Sequence, residues 1–346
     1  MSSRCLRVCE GKDSSSWSTQ VFLGSSVSTP LDFAAHRHAD LVEANRRRRS
    51  VIDTIHEELR LSRLDDYLEA VACFPTELPR RADGRPDWKA LPIEAIRVRH
   101  WGDRRANFRD VNPDMVIGLA SVFPHMMRVA YEIEDPWEAY TAESVGYMDN
   151  EGVRKMSAFM EAVWQNDERR HAAVFKSAYL AVTGEEELPP NPHKVGPVLP
   201  GTAAFEAHVY ARLNAEMAAS SSYAVFASHS RDDLSNTISN VAGDEFRHLA
   251  IFWAATKWRF GESAHKRLWR WFRMLRESAA GHRKLRTDVN QVGLGDFVVM
   301  GEIAHALAQE IKLLLEWDRT LTPARLDEVF GDQPSTGSTR SIYLLS

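Results

Sequence analysis

A charged pentapeptide occurs twice in this chain, inside stretches whose apolar residues have helical spacing. Residues 167–171 read Asp-Glu-Arg-Arg-His and residues 244–248 read Asp-Glu-Phe-Arg-His, so both copies follow the pattern D-E-x-R-H. Charged groups on an apolar helix face are costly to bury unless something compensates them. A bound metal ion would compensate them. The apolar neighbours are Met156, Met160, Trp164, Phe175 and Ala178 for the first copy, and Ile238, Val241, Ala242, Ile251 and Phe252 for the second.

Both copies contain Glu-x-x-His, in which two residues three apart share one helix face and can reach one ion. Four such pairs occur, where composition predicts about one by chance. Two of them lie outside the repeated pattern. We interpret Glu262/His265 as a surface pair. Glu302/His305 is either a pair that supports a metal site or an ordinary satisfied core pair, and we favour the core pair.

Each copy needs a further carboxylate at the same level of a neighbouring helix to complete a metal site. In the second helical hairpin the turn centres near residue 230, where Ser230 is expected to cap the next helix, so residues around 215 lie opposite Glu245. Glu216 stands there alone among small and apolar neighbours. We therefore predict that Glu216 is a ligand.

The first hairpin leaves the carboxylate partner of Glu168 open among three residues. At about 100° per residue, Glu134 falls with the apolar side of its helix, whereas Glu132 falls on the polar side. Helical phase therefore favours Glu134. Pro136 interrupts the phase, and Glu138 is retained because its separation from Glu168 is close to that of Glu216 from Glu245.

The remaining pattern indicates a mainly α fold. Proline-rich loops are predicted at 74–92 and 185–202, helical periodicity fills most of the chain around them, and no run is long enough to indicate a sheet. We predict a single helical domain at 31–330, with a four-helix metal-binding bundle at about 113–260 and additional N- and C-terminal helices. A mobile N-terminal extension and a flexible tail are expected at the two ends, residues 1–30 and 331–346.

Composition excludes several classes of protein. Hydrophobic residues make up 44% and charged residues 26%, which excludes global disorder. The net charge of −5 argues against a general nucleic-acid binder, and the lack of an apolar stretch of about 18 residues predicts that no membrane is spanned. Three cysteines and no secretory-signal pattern lead us to expect a cytoplasmic protein.

Two helical hairpins, each with a lone Glu on one helix and Glu-x-x-His on the next, resemble the ferritin-like di-iron carboxylate proteins. The segments W-Q-N-D-E-R-R-H (164–171) and A-G-D-E-F-R-H (242–248) look most like the soluble acyl-carrier-protein desaturases and bacterial multicomponent hydroxylases. The resemblance implies a ferritin-like four-helix bundle with Glu168 and Glu245 bridging two irons. It implies that one iron is held by Glu134, Glu168 and His171, the other by Glu216, Glu245 and His248, and that Asp167 and Asp244 accept hydrogen bonds from the histidines.

The implied chemistry is oxidation by O2. Four carboxylates and two imidazoles without a thiolate suit two irons, or a manganese–iron pair, better than structural zinc. We expect hydroxylation, desaturation or N-oxygenation of a small or carrier-bound substrate. The resemblance also implies an external ferredoxin-like electron donor. Because proteins of this type often form dimers, a homodimer is expected as well. One alternative is an iron-storage or ferroxidase protein, but the roughly 200 residues outside the bundle argue against it. The other alternative is a metal-free helical interaction protein.

One segment is strongly basic. Residues 257–286 contain ten Lys or Arg and two Glu, a local charge of +8 in a chain of −5, and Trp258, Trp269, Trp271 and Phe272 are interleaved with them. The segment is either a surface helix with an inward aromatic stripe or a dock for an acidic partner. Such a partner is an acyl-carrier protein, a ferredoxin-type donor or an anionic substrate. Arg270 and Arg273 are the candidate docking residues.

Overall fold

The computed structural model describes residues 30–61, 64–91, 110–118, 123–190, 197–281 and 294–331. Within these ranges the regular structure is helical and contains no strand, which confirms the predicted mainly α class. The predicted extension up to residue 29 and the predicted tail after residue 331 lie outside the described residues. The helices are α1 Pro30–Leu61, α2 Leu64–Ala72, α3 Phe123–Glu134, α4 Trp137–Asn150, α5 Arg154–Phe159, α6 Gln165–Thr183, α7 Thr202–Ser228, α8 Asp232–Phe260, α9 Ala264–Gly281, α10 Leu294–Asp318 and α11 Pro323–Phe330.

The chain divides into two compact units, residues 1–44 and 45–346. The boundary falls within α1, so the described part of the first unit is the beginning of that helix. The boundary expected from sequence, at residue 31, therefore lies inside the first unit. The rest of α1, from residue 45, and all later helices belong to the second unit.

Four helical segments of the second unit form a bundle. The first is α3 followed by α4, the second runs from α5 through a π-helical turn (Met160–Trp164) into α6, and the third and fourth are α7 and α8. Three residues join α7 to α8, so these two long helices run antiparallel and pack along their lengths. The bundle spans residues 123–260, which lie within the range of about 113–260 expected from sequence. The helices before and after it in sequence are additional to the bundle.

Helix α8 is buried because its sequence is apolar on nearly every face. Twenty of its 29 residues are buried, as expected for a helix that is surrounded by other elements. Helices α2, α6, α7, α9, α10 and α11 all pack against it. The charged residues 244–248 consequently lie in the interior. No helix in the described part of the chain combines the length and apolar character needed to cross a bilayer.

The start of α8 differs from the sequence-based interpretation. The sequence favours Ser230 as the cap of this helix, but the cap position is Arg231, and Ser230 Oγ donates to the carbonyl oxygens of Phe226 and Ala227 at 3.2 and 3.0 Å. Ser230 lies one residue too early to reach the first free amides of α8, whereas the last turn of α7 offers carbonyl acceptors beside it.

The inner face of α9 carries a buried cation. The fully buried Arg267 pairs with Asp318 and donates to the carbonyl oxygen of Trp253 and the hydroxyl of Thr256, each at 3.0 Å. Its guanidinium also lies 4.0 Å from the centroid of the Trp253 ring. This one side chain therefore links α8, α9 and α10.

Replacement of this cation tests the linkage. Arg267→Met should lower the free energy of unfolding by about 3 kcal/mol or more, because Asp318 loses its buried guanidinium partner. Urea denaturation measures the loss. Arg276→Met, at an exposed position of the same helix, is the matched control and should change the value by less than about 0.5 kcal/mol. Equal effects of the two substitutions would contradict this account.

Candidate metal centre

Six side chains from the four bundle segments converge in the interior. They form two groups in which the potential ligand atoms lie within 4.8 Å of one another. Glu168 and Glu245 belong to both groups, as expected of side chains between two ions. All six are at most 5% exposed. The groups are Glu134, Glu168, His171 and Glu245, and Glu168, Glu216, Glu245 and His248.

The structure distinguishes the three candidates for the first carboxylate. Glu134 lies in the cluster, whereas Glu132 accepts a hydrogen bond from Arg128 at 2.8 Å and Glu138 is exposed on α4. Glu138 is therefore not brought to the site. Helix α3 ends at Glu134 and α4 begins after Pro136, whose missing N–H interrupts the helix. The inner face of α3 consequently does not continue through residue 138.

Both histidines point Nδ1 toward the carboxylates. His171 Nδ1 lies 2.6 Å from Glu245 Oε1. His248 Nδ1 lies 3.3 Å from Glu168 Oε1, 3.4 Å from Glu216 Oε2 and 3.5 Å from Glu245 Oε2. Each ring therefore offers the same nitrogen to the centre of the cluster.

The opposite ring nitrogens contact the two aspartates, and they do so across the bundle. His171 Nε2 lies 3.3 Å from Asp244 Oδ2, and His248 Nε2 lies 3.2 Å from Asp167 Oδ2. Each copy of D-E-x-R-H thus supplies the aspartate for the histidine of the other copy. An Nε2–H donated to a carboxylate leaves the Nδ1 lone pair directed at the cluster, which is the tautomer a metal ligand needs.

The arginine of the repeated pattern compensates the aspartate charge. Arg170 pairs with Asp167 and Arg247 pairs with Asp244, each three residues apart on one helix, and Arg170 also lies 3.4 Å from Asp244. Burial alone would raise the pKa of Asp167, but the hydrogen bond from His248 and the nearby guanidinium groups lower it. Sequence reasoning assigned no role to these arginines, although their repeated position was a usable signal.

Glu134 and Glu216, which each belong to only one of the two ligand groups, each accept a hydrogen bond from an aromatic side chain. Trp164 Nε1–H donates to Glu216 Oε1 at 3.3 Å, and the Tyr223 hydroxyl donates to Glu134 Oε1. Tyr223 was missed from sequence. It lies seven residues after Glu216 on α7, and residues two turns apart share a helix face, so the spacing could have indicated it.

The π turn accounts for part of the unequal spacing of the two hairpins. Glu168 lies one position further from the first residue of α5 than Glu245 lies from the first residue of α8. A π turn closes i→i+5 bonds and so accommodates one additional residue, and such turns are common at functional sites. Its last residue is Trp164, the donor to Glu216.

Burial and mutual repulsion raise the pKa of three carboxyl groups. The pKa of Glu134 is far above its usual value, because of burial and then the charge of Glu168. Burial and the charge of Glu245 raise the pKa of Glu168, and burial and the charge of Glu134 raise the pKa of Glu245 to about 7. Burial would lower the pKa of His248, but its contacts with four carboxylates raise it well above the usual value. Without a cation, these groups must share protons.

The donor atoms fit a pair of divalent cations. Glu168 Oε1, Glu245 Oε1 and His248 Nδ1 are buried and form no hydrogen bond of normal geometry with any residue that the structure describes. Buried acceptors left in this way are costly. When Nε2 carries the ring proton, a lone pair on Nδ1 faces lone pairs on carboxylate oxygens, and a cation between them satisfies both. Oxygen and imidazole donors without a thiolate suit iron or manganese.

Of the two candidate docking residues, Arg270 is engaged with acids of the same chain and Arg273 lies at the surface. Arg270 pairs with Glu206 and Glu262. Within the basic segment, charge is therefore partly compensated by acids of the same chain. The two additional Glu-x-x-His pairs also have other partners: Arg270 for Glu262, Arg48 and His229 for Glu302, and Asp53 for His305.

No protein-family model, curated protein or solved structure matches the chain.

The raised pKa of Glu245 predicts how stability depends on pH without metal. The folded state keeps a proton that the unfolded chain releases near pH 4.3, so this stabilisation is present at low pH and is lost as pH rises toward about 7. For chelator-treated protein, thermal unfolding between pH 5 and 8 should therefore show a loss on the order of 1–3 kcal/mol. Glu245→Gln should flatten this decline. A variant that declines as steeply as the wild type would contradict the assignment.

The crossed pairs predict a specific pattern of coupling. Asp167→Asn should weaken metal binding by about 10- to 100-fold, because His248 loses the carboxylate that orients it. In chelator-competition titrations, Asp167→Asn combined with His248→Ala should be strongly non-additive, whereas Asp167→Asn combined with His171→Ala should be closer to additive. The reverse ranking would show that the pairs are not crossed in solution.

Proposed function

We propose that this protein is a di-metal carboxylate oxidoreductase that uses O2 to hydroxylate, desaturate or N-oxygenate an organic substrate. The observation that carries the proposal is the pair of buried ligand groups sharing Glu168 and Glu245, with both imidazoles oriented by crossed aspartates. Its similarity to the ferritin-like di-iron carboxylate pattern supports the same assignment.

Charge balance supports two divalent ions rather than one. The candidate ligands are four carboxylates and two imidazoles, and neutral imidazoles are the form that binds metal. Four negative charges balance two divalent cations. A neutral assembly is the state that can be buried in an apolar bundle without a large desolvation cost.

The surrounding side chains would control the reaction site. A pair of ferrous ions, when bound, would supply the redox chemistry that activates O2. Trp164 and Tyr223 hold Glu216 and Glu134 in place, and Phe175 packs against Tyr223 with ring centroids 4.5 Å apart. The low exposure of all six candidate ligands excludes bulk water from this region.

The stoichiometry requires a reductant from outside the cluster. Hydroxylation takes up O2, two electrons and two protons and releases one water, and desaturation takes up the same reactants and releases two. The proposal therefore includes an external one-electron carrier protein, such as a ferredoxin-like donor. A small or carrier-bound molecule is the proposed substrate class.

Anaerobic loading with Fe(II) and metal analysis test the proposal. The wild type should bind about two irons per chain. His248→Ala should bind about one or fewer, because it removes a nitrogen ligand from one group. Glu132→Gln is the control, since Glu132 lies close in sequence to Glu134 but outside the cluster, and it should retain about two.

The reaction with O2 separates the candidate functions. The reduced, loaded protein should consume O2 and oxidise a member of a panel of carrier-bound acyl groups and amino acids. Accumulation of ferric iron well beyond two per chain would instead indicate iron storage. A wild type that binds no transition metal, and whose stability is indifferent to added Fe(II) and Mn(II), would overturn the proposal and leave a helical interaction protein.

A further inference from the structure

Helix α9 has an outer face that combines exposed aromatic and cationic side chains. Trp269 is 72% exposed and Phe272 is 44% exposed, although both are large and apolar. At about 100° per residue, the exposed residues Lys266, Arg273 and Arg276 fall on the same side of the helix as Trp269. We call these five residues the α9 face.

The α9 face is opposite to the residues that anchor the helix. Trp271 and Arg267 are fully buried on the inner side, and Arg270 turns toward Glu206 and Glu262. Lys257 and Arg259, from the preceding helix, pair with Asp318 and Glu151. These cations of the basic segment take part in holding the fold.

The charge of the α9 face indicates an acidic occupant. No acid stands among the described outward-facing positions of α9, which are residues 265, 266, 269, 272, 273 and 276. The chain as a whole carries −5. A cationic face on an acidic protein orients an approaching acidic partner and accelerates its association.

The distribution of the aromatic residues favours a protein over a lipid surface. Trp269 lies at the centre of the face, with cations around it, as in protein interfaces where a buried aromatic or arginine anchor is surrounded by a polar rim. A helix that lies in a membrane surface presents a continuous apolar face instead. The α9 face has two large apolar side chains, Trp269 and Phe272, three residues apart, and its other three residues are cations.

Aromatic rings connect this face to the helix that carries the metal-site residues. Phe272 stacks on Trp271 with centroids 6.3 Å apart, and Trp271 lies 6.3 Å from Trp253 of α8. Trp253 is five residues after His248, which corresponds to about 7.5 Å along the helix axis. Two aromatic contacts therefore join the exposed face to α8, the helix that carries Glu245 and His248.

We propose that the α9 face is the docking site of a small acidic one-electron carrier protein that reduces the metal centre. This inference rests on the proposed function. Each docking transfers one electron from the carrier, which is oxidised by one electron, and two dockings supply the two electrons that one O2-dependent turnover consumes.

Reduction kinetics of the iron-loaded full chain test the docking site. The probe is a photoreduced plant-type [2Fe–2S] ferredoxin, and dithionite, which needs no docking, measures the integrity of the centre. Arg273→Glu combined with Arg276→Glu should slow reduction by ferredoxin about tenfold or more and make its salt dependence shallower. Trp269→Ala should slow it about tenfold at unchanged salt dependence. Arg81→Glu, an exposed cation outside α9, is the control and should react like the wild type.

Three results would overturn the docking site. The rate at which ferredoxin reduces the centre could be unchanged in both α9 variants, or it could fall equally in Arg81→Glu. Ferredoxin could also fail to reduce a wild-type centre that dithionite does reduce. Sedimentation with phosphatidylserine vesicles that depends on Trp269 would reassign the face to a membrane. A wild type that binds no iron, or whose dithionite-reduced form does not react with O2, would instead show that the proposed function is wrong.

Discussion

Four carboxylates lie close together in the interior of a helical bundle, and their mutual repulsion is the constraint around which the rest of the structure is arranged. Burial, and then the charge of a neighbouring carboxylate, raises the pKa values of Glu134, Glu168 and Glu245. Such a cluster would ordinarily open to water. It remains buried because positive charge, from protons or from cations, can occupy its centre, and because the surrounding helices are apolar enough to stay packed.

The compensation of charge is organised in layers. The carboxylates and the imidazole Nδ1 atoms form the centre, Asp167 and Asp244 accept from the outward ring nitrogens, and Arg170 and Arg247 compensate the aspartates. Because each aspartate contacts the histidine of the other helix, α6 and α8 are linked twice through the same kinds of residue. The repetition of D-E-x-R-H is thus a requirement of one shared network rather than of two separate sites.

In helix α9 the net charge of the sequence segment overstates the positive charge that is exposed at the surface. The segment 257–286 carries a local charge of +8, yet Arg267 is buried against Asp318 and Arg270 pairs with Glu206 and Glu262. Half of the helix surface therefore uses its cations to hold the fold. The other half presents exposed cations beside exposed aromatic rings, and this is the surface that we propose for a partner.

The sequence by itself determined the helical class, the position of the α7–α8 turn and the residue types of the cluster, because helical periodicity and the i, i+3 spacing of Glu and His are local properties. It also contained the signal for α11, where Thr322 caps the helix before Pro323, although that helix was not assigned. Helical phase favoured Glu134, but the tertiary structure decided between Glu134 and Glu138, since the helix is interrupted between Glu134 and Trp137. It alone decided that the aspartates are crossed and that Tyr223 contacts Glu134, because these contacts join residues 73 to 89 positions apart. Such distances in sequence are closed by the packing of helices, which no local pattern specifies.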